Sequence, residues 1–333
     1  MHSQQMSARG RWRLQMDEMP LTVDHHDMPS AGKSPDVPST GGDARPDSAA
    51  ELLRKGGRQL ERVGIAHGHR EAEWLLGHLM GIHPLELYLD GRPISSEIIE
   101  RFSGKIAARV QGMPLQYLIG ETEFFGQRIN VAPGVFIPRP ETEIVLDAFL
   151  KGLAHNYGQS SKSLNILDLG TGTGCLAVAI ACELPACQVT AVELSWWALC
   201  LARKNILQQD LSSRIRLVQG NWLKAIYGTF DGIISNPPYI PTERVQSLPL
   251  DVRCEPKLSL DGGEDGMQGL KQLLDQAPQA LAAGGVLALE CGEDQLELLK
   301  EIAGSLAWVD QATALSALVG RPRGLLVTRC SSA

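Results

Sequence analysis

Four consecutive residues, Asn236-Pro237-Pro238-Tyr239, carry the most specific chemistry in this chain. They follow an apolar run, Phe230–Ser235, that predicts a buried strand. The Asn236 side-chain oxygen and the Pro237 carbonyl can each accept one hydrogen of a planar NH2 group, and the prolines stiffen the loop because their φ is fixed. The Tyr239 ring offers a flat face to the same group. The motif therefore predicts a clamp for an amide or aryl amine, although a structural Asn-Pro turn would carry the same residues.

A second group of residues predicts the electrophile that such a nitrogen would attack. The sequence Leu167–Gly174, with glycines spaced as G-x-G-x-G, joins a predicted strand to a predicted helix. Asp168 at the strand end can receive a ligand's ammonium group, and Glu193 at the end of the next strand can accept both ribose hydroxyls. These features match the two ends of S-adenosylmethionine, the predicted cofactor. A Gly-rich turn alone is also a common structural feature, so the prediction rests on its combination with the Asn-Pro-Pro-Tyr motif. The predicted cofactor-binding residues are Asp168, Gly170, Thr171, Gly172, Thr173, Gly174, Glu193, Asn221, Trp222 and Asn236.

Two members of that set, Asn221 and Trp222, follow the third predicted strand. Asn221 can hydrogen-bond an adenine amine, and Trp222 can pack on the adenine ring. A core tryptophan beside a loop asparagine fits the same spacing equally well, so both interpretations stay open.

The predicted chemistry uses neither a metal nor a histidine. All eight histidines lie at or before His155, which leaves the C-terminal half without a local histidine base or histidine metal ligands. A methyl sulfonium is already a strong electrophile, so the protein need only align it with the attacking nitrogen and exclude water. The predicted catalytic residues are Asn236, Pro237 and Tyr239, the predicted substrate-binding residues add Pro238, and no metal site is predicted.

Alternating strands and helices position these residues from about Glu141 onward. Strands are predicted at 165–168, 188–193, 215–219, 232–235, 285–290, 308–310 and 324–328, with helices between most of them. This alternation predicts a parallel sheet with helices on both faces and a ligand outside the strand C-termini.

The chain ahead of this α/β region divides into shorter parts. Residues 1–47 are rich in Ser, Pro, Gly and Asp and lack apolar periodicity, which predicts a disordered tail. Ser48-x-x-Glu51 is a capping-box pattern that predicts the start of the first helix. The predicted domains are a helical domain at 48–113, a β-hairpin linker at 114–136 and a catalytic domain at 137–333.

Composition limits the partners and the compartment. The 333 residues carry a net charge of −7, which argues against a surface built mainly to bind nucleic-acid phosphate. The seven cysteines contain no CxxC pair and indicate a reducing compartment. No apolar run reaches the roughly 18 residues of a membrane span. We therefore predict a cytoplasmic protein without stable nucleic-acid or membrane binding, with organellar targeting by the tail left open.

Three further groups of residues carry a resemblance to a known family. They are Gly112-Met-Pro-Leu-Gln-Tyr117 with Gly120, Phe124-Phe125-Gly126 and Phe136–Glu143; Cys254-Glu255-Pro256 with Leu260–Gly266; and Gly320-Arg321-Pro322-Arg323. Together they resemble the signature of peptide chain release factor glutamine methyltransferases, the HemK/PrmC family. The resemblance runs from about residue 50 to the C-terminus and leaves only the tail outside.

The resemblance implies a class I S-adenosylmethionine-dependent methyltransferase fold, Rossmann-like with a seven-stranded, mostly parallel sheet, preceded by a small helical domain. It implies a monomer that methylates N5 of the glutamine in the Gly-Gly-Gln loop of class I release factors, which the helical domain helps to dock. By motif, Gly170–Gly174, Glu193, Trp222 and Asn236 would contact the cofactor, and Asn236–Tyr239 would hold the glutamine. Two residues depart from the family pattern: Glu193 is more often Asp, and Asn221 is often Asp.

Three alternatives remain at this point. A sister enzyme methylates a ribosomal-protein glutamine, but its Pro-Arg segment typically continues Ser-Pro, unlike Pro138–Glu143 here. An adenine-N6 methyltransferase acting on DNA or RNA fits less well with the negative charge and the lack of an evident target-recognition insert. A non-catalytic binding module that kept the fold is disfavoured because the Gly-rich loop, Glu193 and Asn236–Tyr239 are all intact.

Overall fold

The structure, a computed structural model, describes residues 48–89, 93–158, 163–316 and 320–331. The predicted tail at 1–47 lies outside the described residues. The α-helices are α1 Ala49–Arg62, α2 Gly68–Met80, α3 Ser96–Val110, α4 Leu115–Ile119, α5 Pro140–Tyr157, α6 Cys175–Glu183, α7 Trp196–Gln208, α8 Thr242–Val245, α9 Leu250–Arg253, α10 Gln268–Gln276 and α11 Leu296–Gly304. The strands are β1 Glu121–Phe124, β2 Gln127–Asn130, β3 Asn165–Leu169, β4 Gln188–Glu193, β5 Ile215–Gln219, β6 Phe230–Ser235, β7 Leu281–Glu290, β8 Val309–Ser316 and β9 Pro322–Arg329. Short 3-10 helices lie at Pro84–Tyr88, Trp222–Ala225, Lys257–Ser259, Ala277–Gln279 and Glu293–Gln295.

Seven strands form one sheet in the order β5-β4-β3-β6-β7-β9-β8. Strands β3 to β7 run parallel, and β9 pairs antiparallel with both β7 and β8. The predicted α/β class with a mostly parallel seven-stranded sheet is confirmed. The strand order reverses between β3 and β6, and ligands of open α/β sheets bind at such a reversal.

The central strands are apolar because both of their faces are covered. Side chains alternate between faces along a strand, so Ile166 and Ile234 belong to one apolar cluster, whereas Leu167 and Ile233 belong to the other. All six residues of β6 are buried. Gly232 lets α5 approach this strand, because a Cβ there would lie 2.6 Å from the Phe149 ring.

Helices α1 to α4 form a separate apolar cluster that includes the fully buried Leu60, Leu75 and Leu76. The predicted start of the first helix is confirmed, since the Ser48 hydroxyl accepts a hydrogen bond from the Glu51 amide at 3.3 Å. The segment predicted to be a hairpin linker begins with the helical turn α4, and only β1 and β2 pair as a hairpin.

A buried arginine joins the helical region to the α/β region. Arg109 of α3 is 7% exposed and donates to Glu71 of α2 at 2.7 and 3.2 Å and to Asp251 of α9 at 3.3 Å. Close packing accompanies these ion pairs, because a Cβ on Gly112 would lie 2.3 Å from the Leu250 side chain. The helical region is therefore fixed against the segment that follows the Asn-Pro-Pro-Tyr motif.

Candidate active site

A cavity of about 340 Å³ opens where the carboxyl ends of β3, β4 and β6 meet. Its volume lies within the range of small-molecule sites. Its lining residues come from the ends of β3 to β6 and the loops after them, from the segment before α5, from the first turn of α5 and from α10; they include Phe136, Thr142, Gly170–Thr173, Glu193, Asn221, Trp222, Asn236, Pro238, Gln268 and Gln272. Among the described residues, no cluster of three or more His, Cys, Asp or Glu side chains could hold a metal ion.

The Gly-rich loop lies at one wall of the cavity. Gly170, Gly172 and Gly174 have φ values of 74°, 56° and 80°, a left-handed conformation that residues with a side chain rarely adopt. Nothing lies within 4 Å of the position that a Cβ on Gly172 would take. The loop therefore turns sharply into α6, as the sequence predicted, and its backbone is open at Gly172.

Trp222 sits beside this loop in a strained backbone conformation, with φ of 51°. Its ring lies 3.5 Å from the Cβ position of Gly170 and 3.6 Å from that of Gly269. The two glycines therefore leave room for the ring, which lines the cavity. Asn221 is exposed and also lines the cavity.

Glu193 is held by two backbone amides. One carboxylate oxygen accepts from Gly172 N and the other from Ser195 N, each at 2.9 Å. Each oxygen has more than one lone pair, so the side chain can still accept hydrogen bonds from a ligand in the cavity that it lines.

The Asn-Pro-Pro-Tyr motif follows β6 on the opposite side of the strand-order reversal from β4. Asn236 and Pro238 line the cavity. Asn236 Nδ2 donates to Thr142 Oγ1 at 3.0 Å, and the Tyr239 hydroxyl donates to Glu290 at 3.1 Å. The carboxamide oxygen of Asn236 is thereby left available as an acceptor.

Two residues of this network, Thr142 and Glu290, were missed by the sequence reasoning. The Thr142 hydroxyl donates to Glu290 at 2.6 Å, and Glu290 is only 2% exposed. Burial raises the pKa of Glu290 to about 7. Glu290 ends β7 at the carboxyl edge of the sheet, so the rule that selected Glu193 could also have selected it.

Comparison with known proteins agrees with this geometry. Residues 51–120 match the family described as PrmC N-terminal domain, and residues 128–248 match the methyltransferase small domain. The release factor glutamine methyltransferase of Moorella thermoacetica is 37% identical over 84% of this chain and 98% of its own length. That of Chlorobaculum tepidum is 39% identical over 78% of this chain and 90% of its own length. The chain belongs to the release factor glutamine methyltransferase family. The family predicted from the sequence is confirmed.

Among solved structures, a methyltransferase from Pyrococcus furiosus is similar over 71% of this chain and all of its own, at 24% identity and a TM-score of 0.47.

The segments that carry the family resemblance meet around the cavity. Glu255 is buried and accepts hydrogen bonds from Ile137 N at 3.0 Å and from Arg139, whose guanidinium lies 5.0 Å from the centre of the Phe136 ring. Arg323 forms ion pairs with Glu141 at 3.8 Å and with Glu293 at 3.1 Å. Residues far apart in the chain thus fix the segment before α5 and the first turn of α5, which contains Thr142.

The sequence predicts that Asp168 receives a ligand's ammonium group directly. In the structure its side chain lies deeper in the protein than a direct contact requires. It is fully buried, and one of its oxygens accepts from the Thr171 hydroxyl while Oδ1 has no partner among the described residues. Burial raises the pKa of Asp168 to about 7. A buried carboxylate with one unpaired oxygen beneath the Gly-rich loop would be stabilised by a nearby cationic group.

We expect Asp168→Asn to change the pH dependence of stability. An ordinary aspartate loses its proton near 3.8, whereas the folded protein holds the Asp168 proton to about pH 7, so this group lowers stability as pH rises through that interval. The unfolding free energy of the variant relative to wild type should therefore rise between pH 5 and about pH 8, by up to about 3 kcal/mol, and stay level above. Urea titrations of both proteins measure it, and a difference independent of pH would contradict the expectation.

Proposed function

We propose that this protein transfers a methyl group from S-adenosylmethionine to the side-chain amide N5 of the glutamine in the Gly-Gly-Gln motif of class I peptide chain release factors, and so modulates translation termination. The observation that carries the proposal is the Asn236 carboxamide. Its NH2 is engaged by Thr142, which leaves its oxygen as an acceptor in a cavity that also holds the Gly-rich loop. The names of the relatives support the choice of substrate.

The cavity fits S-adenosylmethionine. The loop Gly170–Gly174, whose backbone is open at Gly172, would hold its amino-acid end, with Asp168 beneath supplying negative charge for the ammonium. Glu193 would accept the ribose hydroxyls, and Trp222 and Asn221 would contact the adenine. When bound, this cofactor supplies a methyl sulfonium whose S–CH3 bond breaks as the N–CH3 bond forms, and the amide nitrogen gives up one proton to solvent.

The protein's own contribution is to orient a weak nucleophile. An amide nitrogen reacts poorly because its lone pair is delocalised into the carbonyl. Hydrogen bonds from the glutamine NH2 to Asn236 Oδ1 and the Pro237 carbonyl would aim that nitrogen, and they would strengthen as positive charge develops on it. Pro238 would line the pocket for the side chain, and Tyr239 would stack on the amide plane.

The remaining parts take supporting roles. We assign residues 48–113 to docking of the release factor, 114–136 to the linker and 137–333 to catalysis. The ion pairs of Arg109 hold the docking region against the segment after the motif, which would keep substrate and cavity in register. We further propose that the protein acts as a cytoplasmic monomer.

Label transfer tests the substrate. The protein is incubated with methyl-labelled S-adenosylmethionine and, separately, a release factor, the same factor with its Gly-Gly-Gln glutamine changed to alanine, ribosomal protein and DNA. We expect label on the release factor alone, and none on the alanine form. Label on DNA or ribosomal protein without label on the release factor would overturn the proposal.

A further inference from the structure

Two residues outside the predicted site determine how the Asn236 carboxamide is presented. We propose that Glu290 is a positioning residue, whose carboxylate acts through the Thr142 hydroxyl to hold the Asn236 side chain with its oxygen, and not its NH2, toward the substrate. The inference rests on the proposed function, because an oxygen is needed only if the substrate brings an NH2 group.

The orientation follows from which groups can donate. An ionised carboxylate only accepts hydrogen bonds, so the Thr142 hydroxyl must donate its single hydrogen to Glu290 over the 2.6 Å contact. The Thr142 oxygen can then only accept from Asn236 over the 3.0 Å contact, and the only donor on that side chain is its NH2. The carboxamide oxygen is therefore directed away from Thr142.

Glu290 is shielded and held from several sides. It lies at the end of β7. The polar or charged groups around it are Thr142 and Glu141 on α5, Tyr239 after β6 and Arg323 on β9. The second carboxylate oxygen accepts from the Tyr239 hydroxyl, and burial raises the pKa of Tyr239 above its usual range, so this group stays a donor. Both oxygens of Glu290 are thus committed to hydroxyl donors.

Protonation of Glu290 would remove this control. A carboxylic acid can donate to Thr142, which frees the Thr142 hydrogen to bond the Asn236 oxygen and turns the NH2 toward the substrate. Two NH2 groups would then face each other, and the clamp would fail. Because burial raises the pKa of Glu290 to about 7, this change falls within an accessible pH range, with the productive orientation favoured above it.

Steady-state methylation at saturating release factor, measured from pH 6 to pH 8.5, tests this relay from Glu290 through Thr142 to Asn236. Wild type should lose kcat as pH falls through about 7. Glu290→Gln and Thr142→Val should lower kcat about 10- to 100-fold at pH 8, as expected for hydrogen bonds that involve a charged group, and should flatten the profile. Thr142→Ser keeps the hydroxyl and should restore most of the rate and the pH dependence. Binding of S-adenosylhomocysteine, measured by calorimetry, should change less than threefold in all three variants.

Equal rates in Thr142→Val and wild type, or a wild-type pH profile in Glu290→Gln, would overturn the relay.

A second measurement does not depend on the substrate. Carbon NMR of glutamate-labelled protein, with the Glu290 signal assigned from its loss in Glu290→Gln, should show titration near pH 7. Titration near 4.5 would contradict the predicted loss of rate between pH 8.5 and pH 6, because Glu290 would then stay ionised over that whole range. Titration near 7 without methylation would place the fault with the proposed function.

Discussion

Replacing Asn236 by alanine should reduce kcat for methyl transfer about 100- to 1,000-fold while changing cofactor affinity little. The variant removes the acceptor that orients the substrate nitrogen and gains strength as charge develops there, and loss of one such preorganised hydrogen-bonding group typically costs this factor. The cofactor would keep its proposed contacts with the Gly-rich loop and Glu193, which lie at the ends of β3 and β4 rather than of β6. Steady-state rates at saturating release factor give kcat, and calorimetry with S-adenosylhomocysteine gives the affinity.

Asn221→Ala is the matched control. It removes the same side chain from an exposed position at the wall of the same cavity. Asn221 lies in the loop after β5, which β4 and β3 separate from β6 and the Asn-Pro-Pro-Tyr motif. We expect it to act mainly on cofactor affinity, the reverse of Asn236→Ala. If Asn236→Ala weakened cofactor binding as much as it lowered kcat, Asn236 would be a cofactor ligand and not an orienting group.

The candidate site residues that could be predicted from the sequence are those whose positions depend on local structure. The Gly-rich loop, Glu193 and Asn236 each directly follow or end a strand, and parallel strands bring their carboxyl ends to one edge. Thr142 and Glu290 could not be paired in this way, because they lie 148 residues apart and meet only through the packing of α5 on the sheet. The depth of Asp168 likewise depends on how α6 and its loop cover the strand end.

For the fold as well, features set by local sequence could be predicted, whereas features set by tertiary packing could not. The alternation of strands and helices along the chain predicted the seven strands and the parallel run from β3 to β7, but not the antiparallel pairing of β9 with β7 and β8. The sequence predicts a hairpin in place of the short helix α4, because its five residues, four of them apolar, carry too little periodicity to separate helix from strand. Its end is set by Gly120, at φ of 91°, and its side chains pack on the helical cluster.

The contacts of the segments that carry the family resemblance explain why their residues are needed. Gly262 and Gly266, within Leu260–Gly266, pack directly against the backbone of the Asn-Pro-Pro-Tyr motif. Gly262 N donates to Ile240 O at 2.8 Å, and Gln295 Nε2 donates to Tyr239 O at 2.8 Å. The motif is therefore held by backbone contacts that leave no room for a side chain on the facing segment.

Gly262→Ala should consequently lower kcat on the order of 100-fold, although Gly262 carries no reactive group. A Cβ there would lie 2.7 Å from Pro238 O, 2.8 Å from Tyr239 Cα and 2.7 Å from Gly266 O. All three are backbone atoms, so the motif must shift, and displacement of a clamp by about 1 Å can cost this factor in rate. Steady-state methylation at saturating release factor measures the loss of kcat, and the thermal midpoint of unfolding should also fall by several degrees.

Gly104→Ala separates this effect from the general consequences of replacing a glycine. Gly104 lies inside α3 with nothing within 4 Å of its Cβ position, so alanine there should raise stability by about 0.5–1 kcal/mol and leave kcat unchanged. Wild-type kcat in Gly262→Ala would show that the motif tolerates displacement, and catalysis would then not depend on a rigid clamp. If Gly262→Ala loses much of its kcat but keeps its cofactor affinity, the backbone around Pro238 and Tyr239 is what holds the clamp in its productive geometry.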